Sequence, residues 1–294
     1  MPAALYDAIV QILAKTDEDA KVRSVAITQL ATSKSAQVSE TLRTIAVDAK
    51  RSPVERQLAA KATAQVALSS ANAEGTFVFL ASAPDSVSLE SAETGGGVFS
   101  FALVKALLGA ASTGSSGQIT ADGLTFYLSQ QVAALTGGRQ RPAVQLEGSR
   151  DTQLFPGGGA NSQVTALVIG VSQYNDPALN LRYAASDAAS IAKVLRERGA
   201  NVRLLTNPTR ASVMEALAGA SRATPAGSLL VYFSGHSDVS PDAQTAGWLV
   251  ADSTHEESTT WITFSEIRAA MERSPAKTRW LFVDSSTAGA VRVR

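Results

Sequence analysis

Residues 229–237 read LLVYFSGHS and residues 280–289 read WLFVDSSTAG. Each opens with a short apolar run rich in branched and aromatic side chains and then turns small and polar, as a strand buried on both faces does where it ends. Ser234, Gly235 and His236 follow the first run, and Asp284, Ser285, Ser286, Thr287 and Ala288 follow the second. If the two strands are neighbours, His236 and Ser286 come within hydrogen-bonding reach at one rim, which is the geometry of a nucleophile and its base. A lone histidine after a strand is more often structural, and it is the serine-bearing second strand end that favours the functional reading.

Outward from these runs, strands and amphipathic helices alternate through residues 164–294. Strands are expected at 166–171, 202–205, 229–233, 248–250 and 280–283, and helices at about 184–198, 212–220 and 264–273. That alternation predicts an α/β fold with a mainly parallel sheet covered by helices on both faces, its functional residues just past the C-terminal strand ends.

The sequence PGGGANS at 156–162 is a linker by composition, so a boundary is expected over 157–163. Before it, residues 73–156 give a strand at 77–81, a glycine cluster at 95–97, helices at about 99–108 and 120–135, and an extended segment at 143–146. Residues 1–72 contain no glycine and are expected to be helical throughout, with Ser52 and Pro53 as an N-cap and first-turn pair. These short alanine-rich helices resemble a HEAT-type array of two helix pairs, too few to stand alone, so the block is expected to pack on the rest of the protein.

The 26 basic and 26 acidic residues cancel without long runs of either sign, which leaves no electrostatic case for a nucleic acid or a membrane surface as partner. With no cysteine in 294 residues, disulfides and thiolate metal sites are excluded, and a reducing compartment is the expectation. Neither a membrane span nor a signal segment is seen, so a soluble cytoplasmic protein is expected.

The strand end SGHS and the strand end DSSTAG resemble those of the caspase and metacaspase clan of cysteine peptidases, in which one strand ends in SGHG and another in DxCxxG. Residues 166–188, ALVIGVSQYNDPALNLRYAASDA, are similar to that clan's first strand, loop and helix. The segments FVFLASAPDSVSLE at 77–90, GGGVFSFALVKALLG at 95–109 and ITADGLTFYLSQQV at 119–132 resemble its small half. Here the small half precedes the large one, as in a circular permutation, and Ser286 stands at the position of the nucleophilic cysteine.

The resemblance implies a caspase-like endopeptidase with a His/Cys-type dyad, His236 as general base and acid, and the Gly235 and Ser286 N–H groups as the oxyanion hole. It places Asp187, Asp284 and Ser234 in the pocket for an arginine or lysine before the scissile bond. Two carboxylates there favour a guanidinium, although Arg182 sits near the position from which animal caspases hold an aspartate. A serine is a much weaker acid than a cysteine, so a dyad built for sulfur is expected to be inactive here. The alternatives are a pseudo-peptidase that binds a protein partner without cutting it, and a serine esterase using the same rim. Asp187 has a second reading, as a charge favourable at a helix N-terminus. His255, in a polar loop, is expected to be solvated, and two histidines make no metal site. The loop through Thr113 and Ser115 lacks the carboxylates of a calcium site, so no cofactor is expected, although calcium activates some metacaspases.

Overall fold

A computed structural model describes residues 3–33, 35–69, 75–83, 86–113, 118–155, 163–220, 227–242 and 244–287, with the backbone alone described for 3–5, 36, 67–69, 113, 286 and 287. Residues 157–162 of the linker expected over 157–163, Ser115 and the residues beyond Thr287 lie outside these.

Four helices come first: α1 (Ala3–Thr16), α2 (Ala20–Leu30), α3 (Ala36–Val47) and α4 (Pro53–Ser69). Pro53 opens α4 as expected, and the cap is reciprocal: the Glu55 N–H donates to Ser52 Oγ while the Glu55 carboxylate accepts from the Ser52 N–H and hydroxyl. Glu55 is also held 2.6 Å from Arg23 Nε of α2. That hydrogen bond from Arg23 is the main reason its pKa falls to about 2. The four helices enclose an apolar cluster of their own around Ile27, Leu30, Leu42 and Ala59. Of the four, α4 also reaches the rest of the molecule, packing Ala64 against the core beside the sheet.

The remaining elements in chain order are β1 (Thr76–Leu80), β2 (Glu90–Ser91), β3 (Gly96–Gly97), α5 (Val98–Lys105) with a π-helical turn at Ala106–Ala110, β4 (Ser112–Thr113), β5 (Gln118–Ile119), α6 (Ala121–Thr136) and β6 (Ala143–Glu147). After residues 156–162 come β7 (Val164–Gly170), α7 (Ala184–Glu197), β8 (Asn201–Thr206), α8 (Arg210–Ala220), β9 (Ser228–Val239), β10 (Ala246–Trp248), β11 (Ile262–Thr263), α9 (Phe264–Arg273) and β12 (Thr278–Thr287).

The main sheet runs β8-β7-β9-β12-β1-β6, with β10 and β11 added beside the far end of β9. Its inner pairings, β7 with β8, β7 with β9, β9 with β12 and β12 with β1, are all parallel, whereas β6 is antiparallel to β1. Strand alternation divides the core. Leu230 and Tyr232 of β9, with Trp280 and Phe282 of β12, face α5, α6 and α7. Leu229, Val231 and Phe233, with Leu281 and Val283, face α8 and α9. The fold is therefore mixed α/β with helices on both faces, as the pattern of runs predicts.

Across the β1–β12 seam the aromatic rings stack in register, Phe77 on Trp280 at 4.3 Å and Phe79 on Phe282 at 5.0 Å between centroids. Residues 75–155 are thus joined to residues 163–287 through the middle of the sheet and not through an edge contact.

One difference from the sequence reading matters for the site. Strands expected to stop near 233 and 283 continue to Val239 and Thr287, so the motif residues belong to the ladder itself. The strand expected at 248–250 is instead Ala246–Trp248 and adds antiparallel to Ser237–Val239. This antiparallel partner gives polar residues beyond His236 a backbone to pair with, which their side chains could not announce.

Candidate functional site

The ladder between β9 and β12 pairs Asp284 with Ser234, Ser285 with Gly235, Ser286 with His236 and Thr287 with Ser237. The two strand ends are neighbours, with the histidine and the serine on one rung. His236 is buried at 3% exposure. Its Nε2 lies 2.9 Å from the Leu179 carbonyl oxygen. A carbonyl only accepts, so in the neutral ring the hydrogen sits on Nε2 and Nδ1 is the basic nitrogen. The backbone N–H of His236 donates to the Tyr174 hydroxyl at 3.0 Å, and the two rings lie 5.4 Å apart. The loop after β7 therefore positions both the main chain and the ring of the histidine.

Backbone direction alternates along each strand. The carbonyls of Ser234 and His236 accept from Val171 and Leu249, on the side away from β12. Gly235 therefore turns its N–H toward β12. On β12 the Val283 carbonyl accepts from Ala81 of the β1 side, so Ser286 turns its N–H toward β9. Both expected oxyanion donors lie in this one seam, and the pairing closes it through Thr287 and Ser237.

On the α5/α7 face of the rim is a pocket of about 270 Å³ lined by Asp187, Asp284, Ser234, Gly235, Ser88 and Glu90 among others. Asp284 is buried and accepts from Ser88 Oγ at 2.7 Å, from the Ser100 N–H at 3.2 Å and from the Ser100 hydroxyl by a shorter bond. Ser100 lies in the first turn of α5, so this carboxylate also caps that helix. Asp187, in the first turn of α7, accepts from the Gly97 N–H at 2.9 Å. A Cβ on Gly97 would lie 2.6 Å from Asp284 Oδ2, and one on Gly96 would lie 2.1 Å from Asp187 Oδ1. The glycine cluster is thus where backbone passes between two carboxylates, a close approach that only glycine allows. Ser100 Oγ also lies 2.6 Å from the hydroxyl of the buried Tyr232.

Burial dominates the electrostatics. It raises the pKa of Asp187 to about 7, opposed by the Gly97 N–H and assisted by the charges of Asp284 and Glu90. Burial also raises that of Asp284, against the hydrogen bonds from Ser100 and Ser88. Glu90, at the exposed mouth, is raised by burial and by Asp284, with Arg182 opposing. Asp187, Asp284 and Glu90 thus line a pocket in which burial opposes ionisation, with Arg182 a cation that acts on Glu90.

The sequence reading missed Glu90, Ser88 and Ser100 here, and its expectation for His255 needs correction. The side chain of His255 is 22% exposed, and its Nδ1 lies 2.5 Å from Oδ2 of the buried Asp238 on β9. A buried carboxylate needs a partner, and the loop after β10 brings the imidazole to it. Arg182 lies over the Tyr183 ring and acts on Glu90 from the mouth. Among the described residues there is no group of three or more potential metal ligands, and no helix long and apolar enough to cross a membrane.

Residues 163–293, less than half of the chain, match the family described as the caspase domain, which supports a caspase-like fold for this part of the chain. The crystal structure of protein GSU0716 from Geobacter sulfurreducens is 25% identical, with a TM-score of 0.36, covering 42% of this chain and 50% of that one. This chain therefore spans about half the length of that protein. No curated protein matches the chain.

Proposed function

We propose, from a caspase-like second half, that the rim is the site of an endopeptidase that binds an extended peptide by an arginine or lysine and is silenced here by Ser286. In this reading residues 73–156 are the small-subunit-like half, residues 164–294 the large one in permuted order, and residues 1–72 a HEAT-like block able to take a protein partner. The observation that carries it is one rung of the sheet holding His236 and Ser286 beside a pocket with Asp187, Asp284 and Ser234.

With a cysteine at 286, His236 Nδ1 would take the thiol proton and the thiolate would attack the carbonyl carbon after the basic residue. The Gly235 and Ser286 N–H groups would receive the oxyanion once the seam parts, and His236 would then protonate the leaving amine. Water would release the acyl group. With serine at 286, the imidazole would have to deprotonate an alcohol many pK units weaker as an acid, and the first step stalls.

The second reading is a binding module that holds a basic segment without cutting it, favoured by the closed seam and the lack of any cysteine. The Ser286→Cys variant, assayed on peptides with Arg, Lys or Asp before the scissile bond, separates the two. Cleavage after Arg and Lys but not Asp, from a background below detection, is the expected outcome. Tight binding of the Arg peptide with no cleavage by the variant would leave the module, and cleavage after Asp would remove the proposed specificity.

A further inference from the structure

On the opposite face of the same rim lies a second pocket, of about 90 Å³, several times the roughly 10–15 Å³ that one water needs. Its floor is Ser237 and Ser285, the residues that follow His236 and precede Ser286, joined by a 2.9 Å hydrogen bond between their hydroxyls. Its outer wall is α4, through Ala64 and Gln65. Gln65 is 7% exposed, and its buried Oε1 has no hydrogen-bond partner among the described residues. An orphaned buried acceptor costs about 1–3 kcal/mol, which a donor arriving from outside recovers. Val87, Val239 and Val283 give the neighbouring walls an apolar part, and Lys61 and Asp238 also line the pocket. Ser88 lines this pocket and the carboxylate pocket alike, so the two meet across the strand ends.

We propose that this pocket is a second specificity subsite, built partly by the helical block, that takes the residue immediately after the scissile bond, a short side chain with an aliphatic body and one donor, such as threonine. The inference rests on the peptidase reading of the rim. Successive side chains of an extended peptide point to opposite sides. A basic residue in the carboxylate pocket therefore sends its neighbour to the other face, where this pocket opens. The leaving side is indicated because β9 continues past His236 into the pocket through Ser237, Asp238 and Val239, and His236 is the group that would serve the leaving amine. A threonine there would donate its hydroxyl hydrogen to Gln65 Oε1 and set its methyl against the valines. Valine, of the same shape, would leave the amide unpaired.

The test is fluorescence-anisotropy binding to the chain with Ser286 in place, which needs no turnover. Three labelled peptides share one sequence up to an arginine and then end as the amide, continue with Thr, or continue with Val. The Thr peptide is expected to bind roughly three- to tenfold more tightly than the Val peptide, the range of one neutral hydrogen bond. Gln65→Leu should reverse that order and leave the arginine amide unchanged. Ala64→Leu, which fills the pocket from a different position, should weaken both extended peptides and spare the amide. Equal affinities for Thr and Val, or variants that weaken all three peptides alike, overturn the subsite while the basic pocket stands. Failure of the arginine amide itself to bind overturns both readings. Moving Thr to the residue before the arginine should give no gain, and a gain there would overturn the assignment to the leaving side.

Discussion

The two faces of the strand rim are built from alternate residues of the same two strands, yet their chemistry differs sharply. Ser234 and Asp284 project to the face where Asp187 and Glu90 gather, and the pocket there concentrates acid. Ser237 and Ser285 project to the other, where two hydroxyls bond each other and the walls combine an amide and valines with Lys61 and Asp238. A shift of one residue would exchange the two sets, so the ladder register is also what sorts the two linings around the rung of His236 and Ser286. The acid-rich face is closed by the sheet's own helices α5 and α7, whereas the opposite face borrows α4 from the N-terminal block.

The hardest way to break this contrast is to disturb the register that sets it. Trp280→Ala removes a fully buried ring stacked on Phe77 and should cost about 3–5 kcal/mol by denaturant unfolding. A loss under 1 kcal/mol would mean that the β1–β12 seam does not hold the rim. Asp284→Asn keeps an acceptor for the Ser100 N–H and removes only charge. It should weaken arginine-peptide binding about 10- to 100-fold, the range of a charge-assisted hydrogen bond, and leave the preference between Thr and Val intact. An unchanged affinity would reduce Asp284 to a helix cap.

The smallest effect is one of pH. Asp187 has its pKa raised to about 7 from 3.8, so the empty fold prefers it protonated. Its contribution to stability is full at acid pH, below the unfolded value, and is lost as pH rises through about 7. A guanidinium needs the ionised form, so affinity for the arginine peptide should rise by up to about tenfold between roughly pH 6 and 8. Asp187→Asn should flatten both profiles, seen in melting and in binding titrations. A slope that survives the substitution would assign it to another group.

Much of this was legible in the sequence because strands buried on both faces announce themselves. The apolar runs at 229–233 and 280–283 and the helices between them fall where their spacing predicts. His236 could be chosen because it follows such a run, whereas Asp187 and Asp284 came from the resemblance to the caspase and metacaspase clan. What the sequence hid is tertiary. Ser88 and Ser100 reach Asp284 across 196 and 184 residues, and no local spacing marks a serine as a partner. The run SGHSDV lacks apolar alternation, so nothing in it shows that β9 continues until β10 is there to pair with it. The Asp238–His255 pair and the lone amide of Gln65 depend likewise on burial, which a polar side chain does not reveal.

β12 comes after every other described strand in the chain and yet lies inside the sheet, between β9 and β1. While β12 is absent, β1 and β6 have no route into the main sheet and β9 presents an open hydrogen-bonding edge. Assembly must therefore wait on one long-range closure, whose entropy is lost before the pairing returns it, as in slow folders dominated by non-local contacts. During that wait the apolar row Phe77, Val78 and Phe79 is uncovered, and the kinetic hazard of this architecture is self-association through β1 before β12 docks.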